Sequence, residues 1–224
     1  AGGERPEDRY PEGGLALVVH MRDLPREDLP DDWRAEARNL DRAWFQREEL
    51  PGLLPPDPGR RRSEGAVDPA LVQRLARLHL VDNVRGQAPL FRPERVVEAE
   101  LTVRVARTRR GRAHLEYTGR ARLEEEGRWA VEHPGRRKVE ADRRRGYAAA
   151  LRGEAVWNLD EQRFESFELV AAGPRWGATQ FNGRYDDEGP AGMGVLFSLA
   201  PEGDRLAPAY HWAYPALRPA GQSR

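Results

Sequence analysis

Three groups of residues have types and spacing that could do chemistry. The first is the acidic run Asp186-Asp187-Glu188, with Asn182 nearby, in the Gly-rich stretch 173–192. Adjacent carboxylate and amide oxygens suit a hard cation, and calcium is the ion they would take as a metal site. The glycine and distal glutamate of an EF-hand loop are absent, and a solvated loop is the plainer explanation of three neighbouring acids. No other cofactor is expected.

The second group is aromatic. Trp129, Trp157, Trp176, Phe181, Tyr210 and Trp212 fall in the C-terminal part of the chain. Trp176 and Phe181 sit among glycines, where core packing accounts for them less easily. Ligand sites are commonly apolar, aromatic-lined and placed at the mouths of β-domains, so the six form a candidate ligand-binding set. The plainer reading is that these rings close one end of the core. The third group is basic: Arg60-Arg61-Arg62, Arg107 with Arg109-Arg110, and Arg143-Arg144-Arg145. Arginines clustered on hairpin tips can hold phosphates, which makes RNA binding an alternative. Glu124-Glu125-Glu126 lies close by, so solvated tips and edge protection are favoured over nucleic acid.

Motifs for covalent chemistry are missing. There is no G-x-S-x-G elbow, and Ser63, Ser166, Ser198 and Ser223 have no neighbouring base. The five histidines show no H-E-x-x-H spacing; His114 and His133, on neighbouring strands, are the pair to check. His20, beside an apolar run, is expected to be an ordinary core residue. No P-loop or dinucleotide fingerprint occurs, and no two carboxylates stand out as an acid–base pair.

The elements that must position these groups are mostly strands. Residues 147–159 alternate apolar and polar, a polar tetrad at 160–163 follows, and Phe167, Leu169 and Ala171 return. A period of two gives one buried and one wet face, so this is a central hairpin. Gly153 in mid-strand predicts a bend or a close backbone approach. Val97–Val105 and Leu115–Leu123 alternate as cleanly, joined by a turn at 107–112, and Met193–Leu199 alternates again. Arg128–His133 predicts a short strand, 134–145 a charged turn, and Tyr210–Tyr214 a last strand stopped by Pro215.

The N-terminal part differs. Residues 1–13 read as a loose arm, and Leu15–Met21 as a strand buried on both faces. Asp31-Asp32 cap a predicted helix to about Glu49, with Trp33, Ala37, Leu40 and Trp44 on its packed face. The Pro-rich, then basic stretch 50–65 predicts loop, and its Leu53 and Leu54 are candidate partner-binding residues. Asp68-Pro69 open a second helix, with Leu71, Leu75 and Leu78 as its stripe, ending near Asn83.

Composition narrows the classes. The chain has 224 residues, 33% of them charged, zero formal net charge and no cysteine. Mean hydropathy is −0.80, and no apolar run is long enough to span a membrane. Disulfides and thiolate sites are excluded, and Lys138 is the sole lysine. The Ala-Gly-Gly start suits signal-peptidase cleavage, so the expected location is exported or periplasmic, with cytoplasmic the alternative.

The segments 91–103 (FRPERVVEAELTV), 145–171 (RGYAAALRGEAVWNLDEQRFESFELVA) and 192–200 (GMGVLFSLA) resemble the C-terminal β-region of uncharacterised exported bacterial proteins. The resemblance implies export and a β-module, and no site residue. The expectation is therefore an α+β protein: a mainly antiparallel β-barrel or sandwich with two N-terminal helices. Residues 1–93 hold a strand, two helices and the Pro-rich loop; residues 94–224 form the antiparallel β-domain. The expected function is a non-catalytic accessory or partner-binding protein whose partner is another protein or a second copy of itself. The alternative is a small-molecule carrier or enzyme with an aromatic-lined pocket at the Trp157/Trp176 end.

Overall fold

A computed structural model of the chain describes residues 5–29, 31–131 and 139–214. Its frame is one eight-stranded antiparallel sheet. The strands are β1 (Leu15–Asp23), β2 (Arg38–Phe45), β3 (Glu64–Ala66), β4 (Val96–Arg109), β5 (Arg112–Val131), β6 (Val139–Asn158), β7 (Arg163–Trp176) and β8 (Ala191–Leu199). Their order is β2-β1-β8-β7-β6-β5-β4-β3. β3 to β8 form a meander; β1 lies between β2 and β8, pairing antiparallel with both. The two edge strands, β2 and β3, do not pair with each other, so the sheet is not closed.

The alternation does what it predicts. One register row on the inner face runs Val103, Tyr117, Gly153, Leu169, Phe197, Val19 and Asp41 across seven strands. Gly153 is required there, because a Cβ would stand 2.4 Å from the Glu168 carbonyl oxygen. The space it leaves is shared by Tyr117, whose hydroxyl donates to the Leu53 carbonyl at 2.9 Å. β1 is buried from Leu15 through Val19 and at Met21, but His20 is exposed rather than the core residue expected, because it falls on the other face of the strand. The β4–β5 connection is the two-residue turn Arg110-Gly111, both with positive φ, which matches the twist of paired strands.

The inner face packs on a helix, α2 (Pro69–His79), whose first turn is capped by Asp68 Oδ1 accepting from the Ala70 N–H. α2 touches β4 and β5 near one edge of the sheet and β2 at the other. Leu71, Val72, Leu75 and Ala76 join the single large core cluster.

The predicted helix over 31–49 is corrected. Asp32 does cap a turn, α1 (Trp33–Glu36), but the chain then becomes β2. Trp33 and Leu40 are 59% and 57% exposed, so their helical spacing marks no packed face. Ala43 and Phe45 point into the core instead, two apart as on a strand. Other expectations change too. Of the turn expected over 134–145, residues 134–138 lie outside the described ones and 139–145 form the start of β6; Pro6–Arg9 is a 3-10 turn, with Tyr10 packed edge-on to Trp44 at 5.5 Å. Leu50 and Leu53 lie on a 3-10 turn, Arg47–Leu53, and are buried. The expected strand Tyr210–Tyr214 is instead the 3-10 turn His211–Ala213, held by the flanking tyrosine hydroxyls, which bond to His79, Asn83 and the Trp44 N–H.

Candidate functional site

The acidic run is not a metal site. Asp187 is flanked by Arg26, Arg85, Arg175 and Arg184, all within 3.2 Å. Asp186 pairs with Arg34 and Glu188 with Arg143 at 2.5 Å. The three carboxylates are neutralised in different directions by cations the chain already holds. Among the described residues no group of His, Cys, Asp or Glu could hold a metal ion.

The six aromatics do not converge. Trp157 pairs in register with Phe164 near the β6–β7 turn, whereas Trp176 pairs with Gly146 at the far end of the same hairpin. Eleven residues of strand separate them, on the order of 35 Å. Trp129 is buried under the Arg145 guanidinium at 5.6 Å. Tyr210 is buried, its hydroxyl bonded to Asn83 and to the Ala88 carbonyl, while Phe181 and Trp212 are exposed singly. Trp157 and Trp176 therefore do not share the end at which a common ligand pocket was expected.

Two residues singled out for different reasons do meet. Leu54, from the Pro-rich stretch, and Trp157, from the central hairpin, line one open cavity of about 250 Å³ with Leu50, Pro51, Pro58 and Leu159. Arg47 and Gln162 complete the lining. The Trp157 ring is held from behind by Phe164, centroids 4.9 Å apart and edge-on, so one edge is left to the cavity. Leu53, the other expected partner residue, is 4% exposed and belongs to the core. The depressions of about 440 and 310 Å³ on the outer sheet face are larger. They are lined by charged side chains such as Arg104 and Glu116, already paired with each other, and by none of the six aromatics. Binding cavities are chiefly apolar, so the Leu54–Trp157 cavity is the better site.

An arginine-bearing turn adjoins this cavity. Pro58 leads into the turn 57–62, which the Asp57 carboxylate folds by accepting from the Gly59 and Arg60 N–H groups at 3.1 Å. The Gly59 carbonyl accepts from the Thr108 hydroxyl at 3.3 Å, and the Arg62 N–H donates to the Val105 carbonyl at 3.0 Å. Two of the expected arginine groups thus become one patch. Arg60, Arg61, Arg62, Arg109 and Arg110 are exposed, and none has an ion pair among the described residues. The third group is different. Arg143 and Arg144 pair with Glu188 and Glu126, and Arg145 is buried against Glu125 at 2.6 Å.

Two buried polar networks were invisible in the sequence because their members are far apart along it. Arg184 forks onto Asp23 through both terminal nitrogens at 2.7 Å, and onto Asp82 through Nε at 2.8 Å and Nη2 at 2.7 Å. Burial pushes the Asp187 carboxyl up, but Arg175, Arg26 and Arg184 outweigh it and hold it at about 2. Asp23 is likewise held below its ordinary value, burial being outweighed by Arg184 and its neighbours. The second network is Asp41, His79 and Tyr214. His79 Nδ1 is 3.2 Å from Asp41 Oδ2, and Nε2 is 2.5 Å from the Tyr214 hydroxyl. Burial opposes ionisation of Asp41, yet the His79 contact and the Ala209 and Arg42 N–H groups keep it ionised. An ionised carboxylate only accepts, so His79 Nδ1–H donates to Asp41. All three residues are buried and spend their hydrogen bonds on one another or on backbone, which fits an internal strut. Of the His114–His133 pair, His133 lies outside the described residues, and His114 shares a long 3.5 Å contact with Arg107.

No known protein family, no curated protein and no solved structure matches the chain.

Proposed function

We propose that this chain is a non-catalytic partner-binding protein that holds its partner at the Leu54–Trp157 cavity. The observation that carries the reading is the convergence of the Pro-rich stretch and the central hairpin on one open apolar cavity. The scaffold supports it. We read the sheet as an open barrel curled around α2, whose interior is filled by one continuous core rather than by a ligand chamber. His79 and Asp41, which could do acid–base work, are buried and bonded to each other. The resemblance to exported β-modules supports an accessory role outside the cytoplasm.

The test is photo-crosslinking in cells of the source with benzoylphenylalanine at Pro58, and at Val170 on the outer sheet face as a control. A discrete adduct at Pro58 that disappears with Leu54→Glu, with none at Val170, is the expected result. Adducts equal at both positions, or at neither, would overturn the reading. A small molecule retained in native mass spectra and lost with Leu54→Glu would favour the carrier alternative.

A further inference from the structure

From the charge around the cavity we infer that the partner is a protein segment with an apolar side chain followed by several acidic residues. This rests on the partner-binding reading above and names the chemistry of the partner.

Two observations carry it. The cavity is continuous with the arginine patch through backbone contacts on both sides. Leu159, which lines the cavity, donates its N–H at 2.9 Å to the carbonyl of Gly111 in the Arg110-Gly111 turn. Pro58, which also lines it, precedes the turn that carries Arg60, Arg61 and Arg62 and that bonds to Thr108. Both links lead from the cavity lining to turns that carry the arginine patch. The second observation is contrast. Several arginines on the same strands meet carboxylates, as in Arg104–Glu116 and Arg120–Glu98, and the Arg112 beside the patch takes Glu165, whereas Arg107 on β4 contacts His114 instead. At the patch, Asp57 spends its Oδ1 on backbone N–H groups and Glu161 pairs with Arg163. Asp160 stands close beside Gly111 and Glu64 lies nearby, too few to balance the patch. Five guanidiniums are left for an outside anion, and charge complementarity of this kind sets specificity and on-rate.

A protein segment fits better than nucleic acid. Phosphate backbones would satisfy the arginines, but single-stranded binding also uses exposed aromatic faces for stacking. Trp157 is 6% exposed and backed by Phe164, and no other ring lines the cavity. On the outer face Glu116, Glu154 and Glu168 stand opposite one another on β5, β6 and β7, which would repel a long polyanion crossing the sheet. An aliphatic side chain matches the Leu54, Pro58 and Leu159 lining.

The experiment is fluorescence anisotropy of the full chain with four labelled probes at low and moderate salt. They are an acetylated peptide of leucine followed by five acidic residues, the same peptide with glycine first, a short oligouridylate, and phosphatidylserine vesicles. The leucine peptide should bind about tenfold tighter than the glycine peptide, the difference one buried side chain makes. Arg61→Glu with Arg109→Glu should weaken it at least tenfold while the melting curve is unchanged, since both residues are exposed and unpaired. Tighter binding of the oligouridylate or vesicles than of either peptide would overturn the inference. So would equal binding of the two peptides, or none. If crosslinking at Pro58 succeeds and the leucine peptide fails, the cavity reading stands and only the acidic partner falls; if both fail, both fall.

Discussion

The backbone N–H of Leu159 donates to the carbonyl of Gly111 at 2.9 Å, tying the β6–β7 turn to the β4–β5 turn. One of these turns lines an apolar cavity and the other carries Arg109 and Arg110 at its tip. The coupling makes a side-chain prediction at Leu159. Leu159→Ser keeps the backbone bond and removes apolar lining, so adduct formation from Pro58 should drop about tenfold, roughly 1.4 kcal/mol. Val170→Ser on the outer face should leave the yield unchanged. Equal effects of the two would remove the cavity from the binding event.

Gly153 tests the inner face. Its Cβ in an alanine variant would press on the Glu168 carbonyl oxygen and on Leu169, backbone and core that cannot yield easily. Gly153→Ala should cost roughly 2 kcal/mol by urea denaturation. Gly59→Ala, where only the Asp57 carboxylate is near, should stay within about 0.5 kcal/mol. A reversed order would mean that β6 and β7 do not approach as described.

The Asp41–His79–Tyr214 strut gives an ordered pair of costs. His79→Ala leaves a buried ionised Asp41 without its side-chain hydrogen-bond donor, an expected loss of about 3 kcal/mol. Tyr214→Phe removes one hydroxyl and should cost about 1 kcal/mol. Urea midpoints of the two variants check this; a costlier Tyr214→Phe would place the weight of the network on the tyrosine instead.

Acid should unfold the protein through its paired carboxylates. Asp187 ionises in the folded chain at about 2, below its unfolded value near 3.9. A lowered folded pKa contributes stability that is complete above the unfolded value and is lost as pH falls through the folded one. Urea midpoints should therefore decline from pH 4 toward pH 2, with Asp23 adding to the same slope. Asp187→Asn should be less stable at neutral pH and show a shallower decline. An unchanged slope would show that Asp187 is not held by its arginines.

Much of the sheet was legible because alternation is local. The paired strands around Val103 and Tyr117, the turn before Arg112 and the cap at Asp68 all announce themselves within a few residues. Residues 38–45 did not, for a physical reason. Asp41 faces the core where an apolar residue would have completed the strand pattern, and its partner His79 comes from another element. Trp33, Ala37, Leu40 and Trp44 meanwhile matched a helical stripe by spacing alone. The acidic run misled in the same way: the arginines that answer Asp187 arrive from four separate places in the chain. The cavity was half visible, since Leu54 and Trp157 were both marked, but nothing in the sequence placed them side by side.

The position of β1 between β2 and β8 has a consequence for assembly. β1 finds one of its neighbours only after the last strand of the meander has emerged. Until then its apolar run has a single hairpin partner, and pairing at such long sequence separation is slow. Until β8 is made, the nascent chain therefore carries an unpaired apolar edge along β1, the kind of surface that chaperones shield.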